Sequence, residues 1–238
     1  RFGRLDDVRL SVEGNHVYMM CDYFTGDAAG QNMVTIATQE MCAYLVKECP
    51  VPIKEWYVEA NASGDKKASA QSFMTVRGKK VSEVIIPKRL VERILHTKVS
   101  KMASYWRMSA LGGVISGTIG VQGHFANALA ALFLACGQDI ACISEASVGI
   151  TRFEEVENGD LYATVTLPNL IVGTIGGGTA LPSQKACLDL MGLSGAGHSR
   201  RFAEVCAGAV LAGELSIIGS LSAGDFAHAH KKLARDRK

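Results

Sequence analysis

Between Met108 and Gln138 the chain carries no aspartate, glutamate, lysine or arginine. That run is longer than the roughly 20 apolar residues a helix needs to cross a bilayer. It is also interrupted by Gly112, Gly113, Gly117, Gly120 and Gly123, and it holds Gln122, His124 and Asn127. A glycine in a helix costs about 1 kcal/mol against alanine, yet it lets a neighbouring helix approach closely. Polar side chains facing lipid are costly. The run therefore predicts two buried, tightly packed core helices. A membrane-embedded helical protein is the alternative reading of the same residues.

The rest of the chain has an ordinary globular balance. Its 25 basic and 23 acidic residues leave a formal net charge of +2, too small to imply a nucleic-acid partner. Seven cysteines are scattered without CxxC spacing, and their number is odd. This predicts free thiols in a reducing compartment, with neither a disulfide frame nor a metal site. The sequence opens abruptly on Arg1-Phe2-Gly3-Arg4, as a piece of a longer chain would.

Apolar alternation around Glu13-Gly14-Asn15 predicts a β-hairpin over 4–23. A helical period runs from Gln31 to Val46. Strands are expected at 54–60 and 80–86, then a helix opened by Pro87, the two core helices, a loop around Asp139, and a strand at Leu161–Leu167. Helices from Pro182 to Met191, Arg201 to Leu221 and Ala223 to Arg235 complete the chain. Strands and helices mix without a regular βαβ alternation, so the fold class is α+β.

Several segments have the physics of a site. Asn61-Ala-Ser-Gly-Asp65-Lys66-Lys67 sets two adjacent lysines beside a carboxylate. Like charges repel, so the pair calls for an anion, either Asp65 or one brought by a ligand. Asp27-Ala-Ala-Gly30-Gln-Asn32-Met33 enters a helix whose free N–H groups and dipole favour a phosphate. Gly173-Thr-Ile-Gly176-Gly177-Gly178-Thr179 offers backbone N–H groups unobstructed by side chains. Neither GxGxxG between strand and helix nor GxxxxGK[ST] occurs. Gly195-Ala-Gly197-His-Ser-Arg200 is the nearest approach and reads as a loop.

These segments, with His124-Phe-Ala-Asn127, Cys136-Gly-Gln-Asp139 and His228-Ala-His230, occur in one order along the chain. That order and spacing closely resemble the catalytic portion of class I 3-hydroxy-3-methylglutaryl-coenzyme A (HMG-CoA) reductases. The resemblance implies a helix-rich substrate- and CoA-binding domain over 58–238, ending in a mobile C-terminal helix. Residues 1–57 would be the C-terminal part of a small ferredoxin-like NADP(H)-binding domain. It implies reduction of HMG-CoA to mevalonate and CoA by two hydride transfers, with NADPH as cofactor. Lys66 matches the catalytic lysine, Asp139 the aspartate coupled to it, and His230 the histidine that protonates the departing thiolate. Asn61, Asp65, Lys67 and Arg107 match positions around the substrate's carboxylate. His124 and Asn127 match the lining of the substrate and CoA pocket. Arg1, Phe2, Asp27, Gly30, Asn32 and Gly176, Gly177 and Gly178 match NADPH contacts, and Arg235 would meet the extra phosphate. His228 carries no role.

The resemblance also implies a homodimer or homotetramer with shared active sites. It places the family's catalytic glutamate upstream of Arg1, so residues 1–238 alone are expected to be inactive. A cytoplasmic location is expected, or the cytosolic face of a membrane if an anchor precedes this stretch, which itself would make no membrane contact. Glu59 stands where members often have serine, and a carboxylate is unfavourable there unless it points away from the substrate. The competing functional reading is a non-catalytic acyl-CoA- or nucleotide-binding relative. Lysine, aspartate and histidine are all present, which argues against it.

Overall fold

A computed structural model describes residues 3–226 of the 238. Its elements gather into two compact units, described separately. The first comprises the described part of Arg1–Asp65 with Ala135–Asp139 and Val172–Phe202. The second comprises Lys66–Leu134, Ile140–Ile171 and the described part of Ala203–Lys238.

In the first unit, β1 (Arg4–Glu13) and β2 (His16–Phe24) form the expected hairpin, with Val12 opposite Val17 and a bulge between Leu5 and Asp7. Gly14 takes the left-handed conformation that the two-residue turn requires. Helix α1 (Gln31–Glu48) follows. Tyr23 and Thr38 join hairpin to helix through their hydroxyls at 2.8 Å. Later in the chain, the unit holds a short 3-10 turn at Gly177–Ala180 and helix α7 (Pro182–Leu190), which starts on its proline.

The second unit opens with a single helical turn, α2 (Gln71–Met74). It is built on a four-stranded sheet in the order β3 (Lys80–Ile86), β6 (Leu161–Leu167), β5 (Gly149–Glu155) and β4 (Gly120–Val121). Only the β4–β5 pairing is parallel. The central strand β6 buries Leu161, Ala163, Val165 and Leu167, and Thr164 on its other face. Helices α3 (Lys88–Leu95) and α4 (Val99–Ser116) follow β3, and α4 lies against β5. Helix α5 (Phe125–Ala135) buries Phe125, Leu129 and Phe133, a four-residue repeat that forms one stripe. A 3-10 turn (Ile140–Cys142) and α6 (Ile143–Ala146) lead to β5. The 25-residue α8 (Ser199–Ala223) runs from the first unit's residues into the second's and buries Cys206, Ala207, Val210 and Leu211.

Three expectations need correction. The uncharged run does hold two helices, the end of α4 and then α5, divided at Gly117, but the first is not buried: the end of α4 exposes Met108, Leu111, Val114 and Ile115, the last two about 80%. Split this way, no helix within 108–138 is long enough to cross a bilayer. Among the described residues, α8 alone is long and apolar enough to do so. Residues 54–60 form no strand, because Trp56 and Tyr57 are both exposed and no described strand pairs with them. Strand β5 was not expected. Its inward positions carry Gly149, Thr151 and Phe153 while Ile150 faces outward, so hydropathy does not alternate as the pleat does. The expected C-terminal helix lies for the most part outside the described residues.

Candidate active site

In the first unit, three glycine-bearing segments meet with little side chain between them. Gly137 has positive φ, and a Cβ there would run into the backbone of Gly178; one at Gly178 would lie 2.9 Å from the Gly137 carbonyl oxygen. Gln138 clasps Gly173 in both directions. Its Oε1 accepts the Gly173 N–H at 2.8 Å and its Nε2 donates to the Gly173 carbonyl at 2.9 Å. Gly173 also approaches the 27–29 backbone so closely that a Cβ would sit 2.8 Å from the Asp27 carbonyl oxygen. That carbonyl accepts the Thr174 N–H at 2.9 Å, and a bridge pairs Ala28 with Ile175. Asp139, half-buried, follows Gln138 directly.

Asp27 is drawn to the start of α8. Its carboxylate accepts the Gly197 N–H at 2.8 Å, the Ser199 hydroxyl at 2.7 Å and the Ser199 N–H at 3.2 Å. The Gly197 amide, then the Ser199 hydroxyl, hold its carboxyl below the usual carboxylate range. The 195–197 loop thus has a structural partner that its sequence did not disclose.

Gly30, at φ 90°, is the N-cap of α1, which has no side-chain cap and no acidic residue in its first turn; Asn32 is exposed on that turn. Gly176 and Gly177 are exposed with positive φ, and nothing lies within 4 Å of a Cβ at either. A helix start without a side-chain cap and an open glycine turn are both shaped for a phosphate-bearing ligand.

The lysine loop is built from polar backbone contacts. Glu59 turns its carboxylate onto the Asn61 N–H and reaches the Ser63 hydroxyl at 3.5 Å, so it is directed into its own loop. The Ser63 hydroxyl accepts the Asp65 N–H at 3.1 Å. Asn61 and Lys66 both have positive φ, which for non-glycine residues costs on the order of 1 kcal/mol or more. Lys66 is half-buried and Lys67 exposed. In the second unit the Lys66 N–H donates to Glu145 Oε2 at 3.0 Å.

Elsewhere in that unit, His124 and Asn127 are joined through His124 Nε2 and the Asn127 amide at 2.9 Å. Fully buried Glu214 accepts the N–H groups of Gly123 and His124 and the Thr151 hydroxyl, fixing the start of α5. Gly213, its neighbour, leaves room for the His124 ring, which a Cβ would strike. Arg107 is exposed on α4. Sequence reasoning missed Gln138, Glu145 and Glu214. A signal existed for the last two: each is the single charged residue in a long apolar or small-residue stretch. Arg1, Phe2, His228, His230 and Arg235 lie outside the described residues.

This fold is shared with solved structures. The class II 3-hydroxy-3-methylglutaryl-CoA reductase of Streptococcus pneumoniae bound to NADPH in open conformations superposes with a TM-score of 0.66, covering 92% of this chain and 59% of that one at 18% identity. The sequence carries the relationship further. The chain belongs to the hydroxymethylglutaryl-coenzyme A reductase family, whose pattern it matches over residues 1–235. It is 42% identical to the 3-hydroxy-3-methylglutaryl-coenzyme A reductase of Pyrococcus horikoshii, over 99% of this chain and 58% of that protein. It is 40% identical to 3-hydroxy-3-methylglutaryl-coenzyme A reductase 1 of Oryza sativa subsp. indica, over 100% of this chain and 46% of that protein. The chain thus spans about half the length of these relatives.

Proposed function

We propose that the full-length protein reduces HMG-CoA to mevalonate and free CoA, consuming two NADPH. The supporting observation is family membership over 1–235, with Lys66 fixed on a half-buried loop rather than in a solvated turn. NADPH would supply a hydride to the thioester carbonyl carbon in the first step and to the resulting aldehyde in the second, and the alkoxide left by the second would take its proton from the glutamate that the family pattern places ahead of Arg1.

The chain's own residues do the rest. The Lys66 ammonium stabilises the oxyanion that develops as hydride arrives, and Asp139 favours the charged lysine. When the C–S bond breaks, the electron pair leaves on the CoA sulfur and His230 protonates that thiolate. Lys67, Arg107, Asn61 and Asp65 hold the carboxylate end of the substrate. His124 and Asn127 line its pocket. Asp27, Gly30, Asn32 and Gly176–Gly178, with Arg1, Phe2 and Arg235, form the NADPH site. Asp27 would contribute through its backbone and by shaping the joint, since its carboxylate is engaged by Gly197 and Ser199.

The site falls to 58–238 for substrate and 1–57 for part of the cofactor domain. The family pattern puts a catalytic glutamate ahead of Arg1, so turnover is expected of the full-length protein and not of residues 1–238. The exposed stripe Met108, Leu111, Val114 and Ile115, beside Arg107 on α4, fits a second copy of the chain. A monomeric mass for the full-length protein in solution would contradict that.

The decisive experiment is NADPH oxidation by the full-length protein with HMG-CoA. Lys66→Ala should abolish turnover and leave the unfolding midpoint nearly unchanged. A Lys66→Ala protein that still turns over would remove the assigned role.

A further inference from the structure

Among the described residues only Asn61, Lys66 and His96 are non-glycines with positive φ. Lysine has no particular tolerance for that conformation, so something must hold Lys66 in it. Its N–H reaches 79 residues along the chain to Glu145 Oε2. Glu145 is 1% exposed, and its other oxygen is fully engaged. Oε1 pairs with the Arg77 guanidinium and accepts the Asn169 amide at 3.2 Å. Asn169 closes the circuit, its Oδ1 accepting the Arg77 backbone N–H at 2.7 Å.

This carboxylate divides its work between two directions, one oxygen for the lysine loop and one for the cation behind it. Glutamine would not do the same. Its amide NH2 would face either the Lys66 N–H or Arg77, donor against donor. Burying a carboxylate and pairing it with a half-buried arginine is a costly way to satisfy one loop amide, which a serine or asparagine could cap locally. What the pair adds is a fixed point for the Lys66 backbone, from which its side chain projects.

We infer that Glu145 is a positioning residue for Lys66, locking the left-handed backbone that aims the ammonium, with Arg77 and Asn169 as its brace. This rests on the reading of Lys66 as the oxyanion-stabilising group. A misdirected ammonium loses interaction with charge that exists only in the transition state, and loses little with the bound substrate.

The test is steady-state kinetics of the full-length protein with HMG-CoA and NADPH, comparing Glu145→Gln with Lys66→Ala. Glu145→Gln is expected to lower kcat roughly 10- to 100-fold while KM for HMG-CoA changes less than about threefold. A folded Glu145→Gln protein with kcat within twofold of the parent overturns the inference. So does a variant that raises KM and keeps kcat, since Glu145 would then shape binding and not aim. If Glu145→Gln does not fold, Asn169→Ala leaves the Glu145–Arg77 pair in place and removes one brace. It should lower kcat several-fold, and an unchanged kcat refutes the assignment. An inactive Lys66→Ala beside a normal Glu145→Gln removes only this inference. An active Lys66→Ala removes the catalytic reading of Lys66, and this inference with it.

Discussion

The two units hold their candidate site loops by opposite means. In the first, Gly137 against Gly178 and Gly173 against Ala29 bring backbone onto backbone, tied by the amide of Gln138 and the partly exposed carboxylate of Asp27. In the second, loops are anchored from beneath by two buried carboxylates: Glu145 under Lys66 and Glu214 under His124. Close approach leaves no room for added volume. A buried carboxylate tolerates no loss of its charge or of its acceptors. The same task, fixing a loop, thus creates different vulnerabilities.

The sharpest way to break this contrast is at Glu214. Replacing it with alanine takes the acceptor from the Gly123 and His124 amides and leaves the buried Thr151 hydroxyl without this partner. A loss on the order of 3 kcal/mol is expected in urea unfolding; a loss below about 1 kcal/mol would mean that the carboxylate is no anchor. Next comes Gly137→Ala, where the new methyl meets Gly178 backbone and φ is positive. About 2 kcal/mol should be lost. The same methyl at Gly123, whose nearest neighbour is Ile217 at 3.5 Å, should cost within about 0.5 kcal/mol. Equal costs at the two positions would erase the distinction between the units.

The smallest effect is the pH dependence contributed by Asp27. Its folded pKa is depressed, first by the Gly197 amide and then by the Ser199 hydroxyl. The stabilisation is therefore present above the unfolded aspartate value, about 3.9, and fades as pH falls through the lower folded value. Asp27→Asn should flatten the acid limb of the stability-versus-pH curve. An acid limb identical to the parent's would show that the carboxylate contributes no linkage.

Regular elements with strong local signals were legible in the sequence. The hairpin turn at Gly14-Asn15, the apolar period of α1 and the proline that opens α7 each state themselves within a few residues. The run at 54–60 misled because strand-favouring residues such as Trp56, Tyr57 and Val58 form a strand only with a partner. Strand β5 hid because a buried threonine and an outward isoleucine reverse the usual pattern. The Lys66 loop was legible through the order of motifs along the chain. Its support was not, since Glu145 and Asn169 lie 79 and 103 positions beyond Lys66, and only folding brings them together with Arg77. A pattern of residues can state what a loop is for without stating what lies under it.

Gly137 and Gly178 carry a consequence for how this chain can drift. In most packed pairs, growth on one side is absorbed by shrinkage on the other, and the two positions change in concert. Here each prospective side chain meets main-chain atoms of its counterpart, which no substitution can trim. Neither position offers the other a compensating step. The pair is closed to exploration from both directions, and a lineage that loses either glycine must move the loop itself to survive the change.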